Sequence, residues 1–436
     1  MNMKNLLHKL GAVAFLTSSL LFAGCDPEFE EDRTFSAGSL DLSKYVAVGN
    51  SLTAGYQDGG LYLEGQRNSY PNILANQFSL VGGGGFTQPL FTEEQKNGSG
   101  YLKLTGFSSS GLPTTAPVTT NLAIRGMGAD NKTPLYTKFT GEVQNLGVPG
   151  IKMVDVTTAG YGYNNPLGFN PFYERLLSDQ VAPTGALLPY VNKVESVKAT
   201  FFTMWLGNND VLGYATSGGI AAISSETAFQ TALDAMVAKL PAQGVIINIP
   251  DVTAVPFFTT KATAGIMAQA QAANAKLYIT MGDGTVREAK AADYVLLTST
   301  VGTPEAVPGI PQQIPHGFSP FNPLKNQEVL DENEVTAVKT ATTSFNAKLR
   351  AAATAKNVAF SDMNAYFNAI KAGFSLNGVN YSPAFITGNL FSLDGVHLTP
   401  RGYAIVANEI IKAINTKYSS TIPTIDVTLF RAVLIP

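Results

Sequence analysis

Tyr45-Val46-Ala47-Val48-Gly49-Asn50-Ser51-Leu52 is the stretch on which the reading of this chain turns. A short apolar run without polar alternation fits a strand buried on both faces, as parallel strands are. It ends in glycine, which permits a sharp turn. Ser51 then falls near the N-terminus of the next helix, with its hydroxyl exposed and its own N–H directed into the same space. Taken alone, such a serine is more simply read as a helix N-cap.

The same alternation runs outward from this stretch. Strands are expected at Val143 to Leu146, Ala199 to Leu206, Val245 to Ile249 and Val358 to Phe360. Ser69-Tyr70-Pro71 opens a Pro-initiated helix, and Thr227 to Leu240, Glu334 to Ala353 and Arg401 to Lys417 carry apolar residues at helical spacing. Residues 166–195 read as mostly helical. Strands separated by helices imply βαβ units, a mostly parallel sheet and helices on both faces, an α/β/α sandwich. Two stretches interrupt the pattern, at about 80–140 and about 255–325, the first rich in Gly, Thr, Ser and Phe, the second in Pro. Ile425 to Pro436 reads as a strand docked on the body.

Composition bounds the remaining choices. The chain has 436 residues, 45% hydrophobic and 14% charged, which excludes the disordered class and allows a large core without disulfides. A net charge of −3 and no basic run give no footprint for nucleic acid.

The N-terminus has the features of an export signal. Lys4 and Lys9 precede the apolar Gly11 to Ala23, which is too short for a stable membrane span. Leu21-Phe22-Ala23-Gly24-Cys25 resembles a bacterial lipobox, whose cysteine receives a diacylglycerol and becomes the mature N-terminus. Cys25 is the only cysteine, so an internal disulfide is excluded. Asp26 to Asp32 is an acidic run that suits a solvated tether and resembles an acidic surface-sorting signal of some Gram-negative lipoproteins. The expected organisation is a signal over residues 1–24, a lipidated Cys25 and tether over 25–41, and one domain over 42–436.

Active sites of open α/β sheets lie beyond the carboxyl ends of the strands. Three further segments lie there. Asn145-Leu146-Gly147-Val148-Pro149-Gly150 contains Gly150, whose N–H can approach a ligand with no side chain in the way. Gly207-Asn208-Asn209-Asp210 contains Asn209, whose amide can donate to a developing oxyanion. Asp394-Gly395-Val396-His397 puts an acid and an imidazole on one side of a turn, suited to a general base with its orienting carboxylate. Alone, each is an ordinary turn. The chain has 3 histidines, and His8 lies in the signal. A histidine base is therefore His316 or His397, and His316 sits in a Pro-rich stretch with no acid nearby in sequence.

Taken in order, Gly49-Asn50-Ser51-Leu52, Gly150, Gly207-Asn208-Asn209-Asp210 and Asp394-Gly395-Val396-His397 resemble the blocks of the GDSL or SGNH hydrolase family. Asn50 replaces the family's usual aspartate beside the nucleophile. The resemblance runs from about Tyr45 to about Lys417, with the two insertions interrupting it. It implies a flavodoxin-like α/β/α fold and acyl transfer by a Ser51, Asp394 and His397 triad. The oxyanion donors would be Ser51, Gly150 and Asn209. Neither metal nor cofactor is implied. The substrate would be an ester, of a lipid or an acylated small molecule, with a carbohydrate O-acetylesterase as the alternative. A non-catalytic lipoprotein that binds glycan or lipid on the same fold is the reading from another class. The lipid anchor implies a bacterial envelope membrane, with the outer membrane or the cell surface among the alternatives. Aromatic residues of the insertions, including Phe86, Phe91, Phe107, Phe257, Phe258, Phe318 and Phe321, suit either a lid over an acyl pocket or plain packing, the latter for most of them.

Overall fold

The computed structural model describes residues 34–107, 113–179 and 187–436. Ser36–Pro436 forms one compact unit. The signal, Cys25 and the acidic run lie outside the described residues. The unit begins earlier than Leu42: Leu40 and Leu42 are buried, and the Ser39 carbonyl and Asp41 N–H both bond the Gln243 amide.

A parallel sheet forms the middle layer. Its strands are β1 (Tyr45–Gly49), β2 (Asn145–Gly147), β3 (Phe201–Trp205), β4 (Gln243–Ile247) and β5 (Ala359–Ser361). The spatial order is β2-β1-β3-β4-β5. In a sheet of this order the chain reverses direction of progress between β1 and β3, where a crevice opens at the carboxyl edge. The register sets Gly49 beside both Gly147 and Trp205, so β1, β2 and β3 end level with one another. β1 and β3 are buried along their whole length, which explains why they read as continuous apolar runs.

The helices are α1 (Ser51–Ala54), α2 (Tyr70–Ser79), α3 (Tyr190–Ser196), α4 (Asn208–Thr216), α5 (Glu226–Lys239), α6 (Glu332–Lys356) and α7 (Pro400–Tyr418). α7 packs on α2 and on β4 and β5, while α6 packs on α4, α5, β4 and β5. The result is the expected α/β/α sandwich. Local sequence sets the helix ends. Ser225 caps α5 through Ala228 N–H, and Asp331 with Glu334 makes a reciprocal capping box at α6. Asn357 closes α6 in the left-handed conformation.

Two expectations are corrected. Residues 166–195 are not mostly helical: among those described, only Pro171–Glu174 and α3 are. Asn165 closes a turn on the backbone before the first of these, and Asn170 caps that single helical turn. Asn165 Oδ1 accepts Leu167 N–H, and Asn170 Oδ1 accepts those of Phe172 and Tyr173. Ile425 to Pro436 is not a strand. It holds one 3₁₀ turn, Val427–Leu429, pinned by buried Val427 and by the Arg401 N–H to Arg431 carbonyl bond.

The first insertion carries antiparallel hairpins, Tyr101–Phe107 with Pro113–Val118 and Ile124–Met127 with Pro134–Tyr136. The second carries short hairpins and a helix, Thr263–Ala272, around a small core of Leu277, Ile279, Val295, Leu324 and Val329. Phe91, Phe257 and Phe258 are buried and Phe86 stacks on Tyr45, so these rings pack the insertions onto the body. Phe107 and Phe321 are exposed.

Candidate active site

The site starts where β1 turns into α1. A Cβ on Gly49 would lie 1.9 Å from Thr53 Oγ1 and 2.9 Å from the Trp205 carbonyl oxygen, so glycine is required for the close approach of β1, α1 and β3. Asn50 caps α1, its Oδ1 accepting Leu52 N–H at 3.0 Å. Ser51 is the first residue of α1, where a backbone N–H has no partner within the helix.

From the far end of the chain, the loop before α7 brings His397 to Ser51. His397 Nε2 lies 2.8 Å from Ser51 Oγ, and Nδ1 lies 2.9 Å from Asp394 Oδ2. An ionised carboxylate only accepts, so it fixes the proton on Nδ1 and leaves Nε2 to accept from the serine hydroxyl. Asp394 Oδ1 accepts the N–H groups of Val396 and His397, both at 2.8 Å, and Oδ2 accepts Gly59 N–H at 2.8 Å. Burial alone would raise this carboxyl. The charge that His397 carries when protonated, with the hydrogen bonds from His397 and Val396, outweighs it and holds the group well below the usual carboxylate range. The Tyr56 ring lies against the imidazole, centroids 4.7 Å apart.

Gly150 follows β2 with φ +85, a conformation that side chains resist. Asn209 lies in the first turn of α4, after Gly207 at φ +109. One amide hydrogen of Asn209 goes to the Ile151 carbonyl at 2.9 Å, which ties the β3 loop to the β2 loop and leaves the second hydrogen uncommitted by that bond. Asp210 adds a second tie, Oδ2 accepting Met153 N–H at 2.6 Å, and burial pushes its carboxyl up to about 6. Ser51, His397 and Asp394 are thus joined by direct hydrogen bonds. Gly150 and Asn209 lie on the same sheet edge, linked to each other through Ile151.

His316 lies elsewhere. It is buried in the second insertion, with Nε2 2.7 Å from Glu328 Oε2 and Nδ1 3.1 Å from Glu305 Oε2. Among the described residues, no group of three or more His, Cys, Asp or Glu is arranged to hold a metal ion. None of the described helices is long and apolar enough to cross a membrane.

Tyr56, Asp58, Gly59 and Ser392 were not singled out in the sequence. The Asp58-Gly59 pair marks a turn, but no local signal tells which distant loop that turn will meet. A small cavity of about 40 Å³, almost wholly apolar, reaches the chain neighbours of the site. Leu52 and Val396, chain neighbours of Ser51 and His397, line it together with Trp205, Phe367 and Phe391.

A family model described as GDSL-like lipase/acylhydrolase matches residues 45–410 of this chain. Among solved structures, an extracellular lipase from Streptomyces rimosus is similar, with 15% sequence identity and a TM-score of 0.30. That likeness covers 85% of this chain and 98% of the lipase. No curated protein gives a match.

Proposed function

Because the chain belongs to the GDSL-like lipase/acylhydrolase family, we propose that it is a serine esterase with Ser51 as nucleophile, His397 as general base and Asp394 as the orienting acid. The observation that carries this reading is the 2.8 Å contact of His397 Nε2 with Ser51 Oγ, backed by Asp394 on the opposite ring nitrogen. His397 removes the hydroxyl proton as Ser51 attacks the ester carbonyl. The N–H groups of Ser51 and Gly150 and the amide of Asn209 receive the oxyanion. His397 then protonates the departing alcohol, leaving an acyl-serine. Water, activated by the same imidazole, releases the acid and restores Ser51.

Asn50 does not weigh against catalysis. Its Oδ1 makes the capping bond that an aspartate would make at this position, so the turn that presents Ser51 is kept.

The substrate proposed is a carboxyl ester of a lipid or small molecule, in keeping with the lipase/acylhydrolase family, with an acetylated glycan as the alternative. The chain is further proposed to be exported and held at an envelope membrane through a lipid on Cys25, from the sequence features of the N-terminus.

Nitrophenyl esters from acetyl to palmitoyl, assayed with Ser51→Ala in parallel, test the reading. Turnover is expected to peak on chains longer than acetyl and to fall by about 10,000-fold or more in the variant. A folded protein that turns over none of these esters would sink the esterase reading. A sharp preference for acetyl would move it to the O-acetylesterase.

A further inference from the structure

The bonds within the acid loop fix Asp394 relative to the His397 backbone, but not relative to Ser51. Val396 and His397 N–H groups reach Asp394 Oδ1, Gly395 N–H reaches the Ser392 carbonyl, and Ser392 N–H reaches that of His397. Something must hold this closed loop against the segment that carries the nucleophile.

The turn after α1 does so. Gln57 and Gly60 close it through paired backbone bonds of 3.0 and 2.9 Å. Inside it, Asp58 adopts φ +53, an uncommon conformation for a residue with a side chain. Its N–H donates to Ser392 Oγ at 2.9 Å, and its Oδ1 accepts Leu393 N–H at 2.9 Å. The next residue, Gly59, donates its N–H to Asp394 Oδ2 at 2.8 Å. Asp58 and Gly59 therefore grip Ser392, Leu393 and Asp394 in succession.

Asp58 is itself braced. Its Oδ2 accepts the Tyr62 hydroxyl at 2.7 Å, and the Tyr62 oxygen accepts from Gln57 Nε2 at 2.6 Å and Arg431 Nη2 at 3.2 Å. Arg431 belongs to the C-terminal tail and also pairs with Glu64 at 2.9 Å. The Asp58 carboxylate is buried, and burial raises its pKa against the hydrogen bonds from Leu393 and Tyr62 that lower it. Without the carboxylate, the Leu393 N–H loses its acceptor in a buried place.

We propose that Asp58 is a positioning residue for the acid–base pair, tying the Ser392–Asp394 segment to the nucleophile's own segment so that Asp394 stays seated on His397. The inference rests on the roles proposed above for Asp394 and His397.

The test compares Asp58→Ala and Asp58→Asn with the wild type in the full chain. Asparagine keeps an oxygen for Leu393 N–H, whereas alanine leaves that N–H bare. On a nitrophenyl ester, Asp58→Ala is expected to lower kcat by about 10- to 100-fold with KM within about 2-fold, and Asp58→Asn to recover most of the loss. The second readout is the downfield Nδ1 proton of His397 in the proton NMR spectrum, assigned by its absence in His397→Gln. It should vanish in Asp58→Ala and persist in Asp58→Asn. If kcat and this proton are unchanged in Asp58→Ala, the positioning role is overturned while the esterase reading stands. If the wild type turns over no ester, the esterase reading fails and the NMR signal alone decides the role of Asp58. If Asp58→Ala does not fold, Tyr62→Phe replaces it, and an unaltered kcat and His397 proton in that variant overturn the bracing.

Discussion

Asn209 spends one amide hydrogen on the Ile151 carbonyl, so its side chain is aimed before any substrate arrives. In the oxyanion role proposed for Asn209, a donor fixed in advance need not reorganise as charge develops on the substrate oxygen, so it would act mainly on the transition state. Asn209→Ala is therefore expected to lower kcat by about 100- to 1,000-fold and to leave KM nearly unchanged, as steady-state kinetics on a nitrophenyl ester will show. Ser51, Asn209 and His397 were legible as candidates because few residue types perform this chemistry, Ser51 and Asn209 each following an expected strand and His397 standing three residues after Asp394. Asp58 was not. A carboxylate in a Gln-Asp-Gly-Gly turn looks like surface punctuation until Leu393, Ser392 and Asp394 are folded onto it.

The second insertion shows what an element can hide. Its sequence reads as Pro-rich loop, yet it has its own apolar core and a buried ionic cluster. Both ring nitrogens of His316 face acceptors: Nε2 meets Glu328, and Nδ1 meets Glu305 and Asn322. Burial alone would lower the pKa of His316, but the hydrogen bond and charge of Glu328, with Asn322 and Glu305, raise it above the ordinary 6.5. Burial would raise Glu328, but His316 and the N–H groups of Thr300 and Lys325 hold it below the ordinary 4.5. A raised histidine stabilises fully below its unfolded value and loses that contribution as pH rises through the folded one. A lowered glutamate stabilises above its unfolded value and loses it as pH falls. The two contributions are both complete between pH 4.5 and 6.5. His316→Gln should cost about 3 kcal/mol there and clearly less in alkaline buffer, measured by urea unfolding at each pH. Equal losses at both pH values would rule out the charged clamp. Two helix starts expected from apolar spacing, Thr227 and Glu334, fall within two residues of the observed ones, which Ser225 and Asp331 cap. Helix boundaries were missed across 166–195, where Asn165 bonds Leu167 N–H in a turn and the helix capped by Asn170 runs only from Pro171 to Glu174.

At the scale of the whole molecule, the sheet order brings the ends of β1, β2 and β3 together, and the loop before α7 closes the site from the last quarter of the chain. The body takes up the chain from Ser36 onward. Lipid on Cys25 is the proposed attachment, and it makes a prediction separable from catalysis. Cys25→Ser should shift the protein from the membrane fraction to the soluble fraction while leaving turnover per molecule within about 2-fold, since one acyl anchor signal acts through burial of its methylenes rather than through the fold. Fractionation followed by immunoblotting checks it. A variant that stays with the membrane would remove Cys25 as the anchor.

By itself the sequence determined the alternation of strands and helices and the order of the motif residues. Both are local: apolar runs, capping residues and glycines act over a few positions, and their physics can be read in a line. The motif order already implied His397, but only the tertiary structure brought it within hydrogen-bond reach of Ser51. His316 and His397 are chemically the same side chain, and the contact follows from the loop before α7 packing against the end of β1. The grip of Asp58 on the acid loop is of the same kind. It joins residues 335 positions apart, and a contact between distant segments exists only once the core has brought them together.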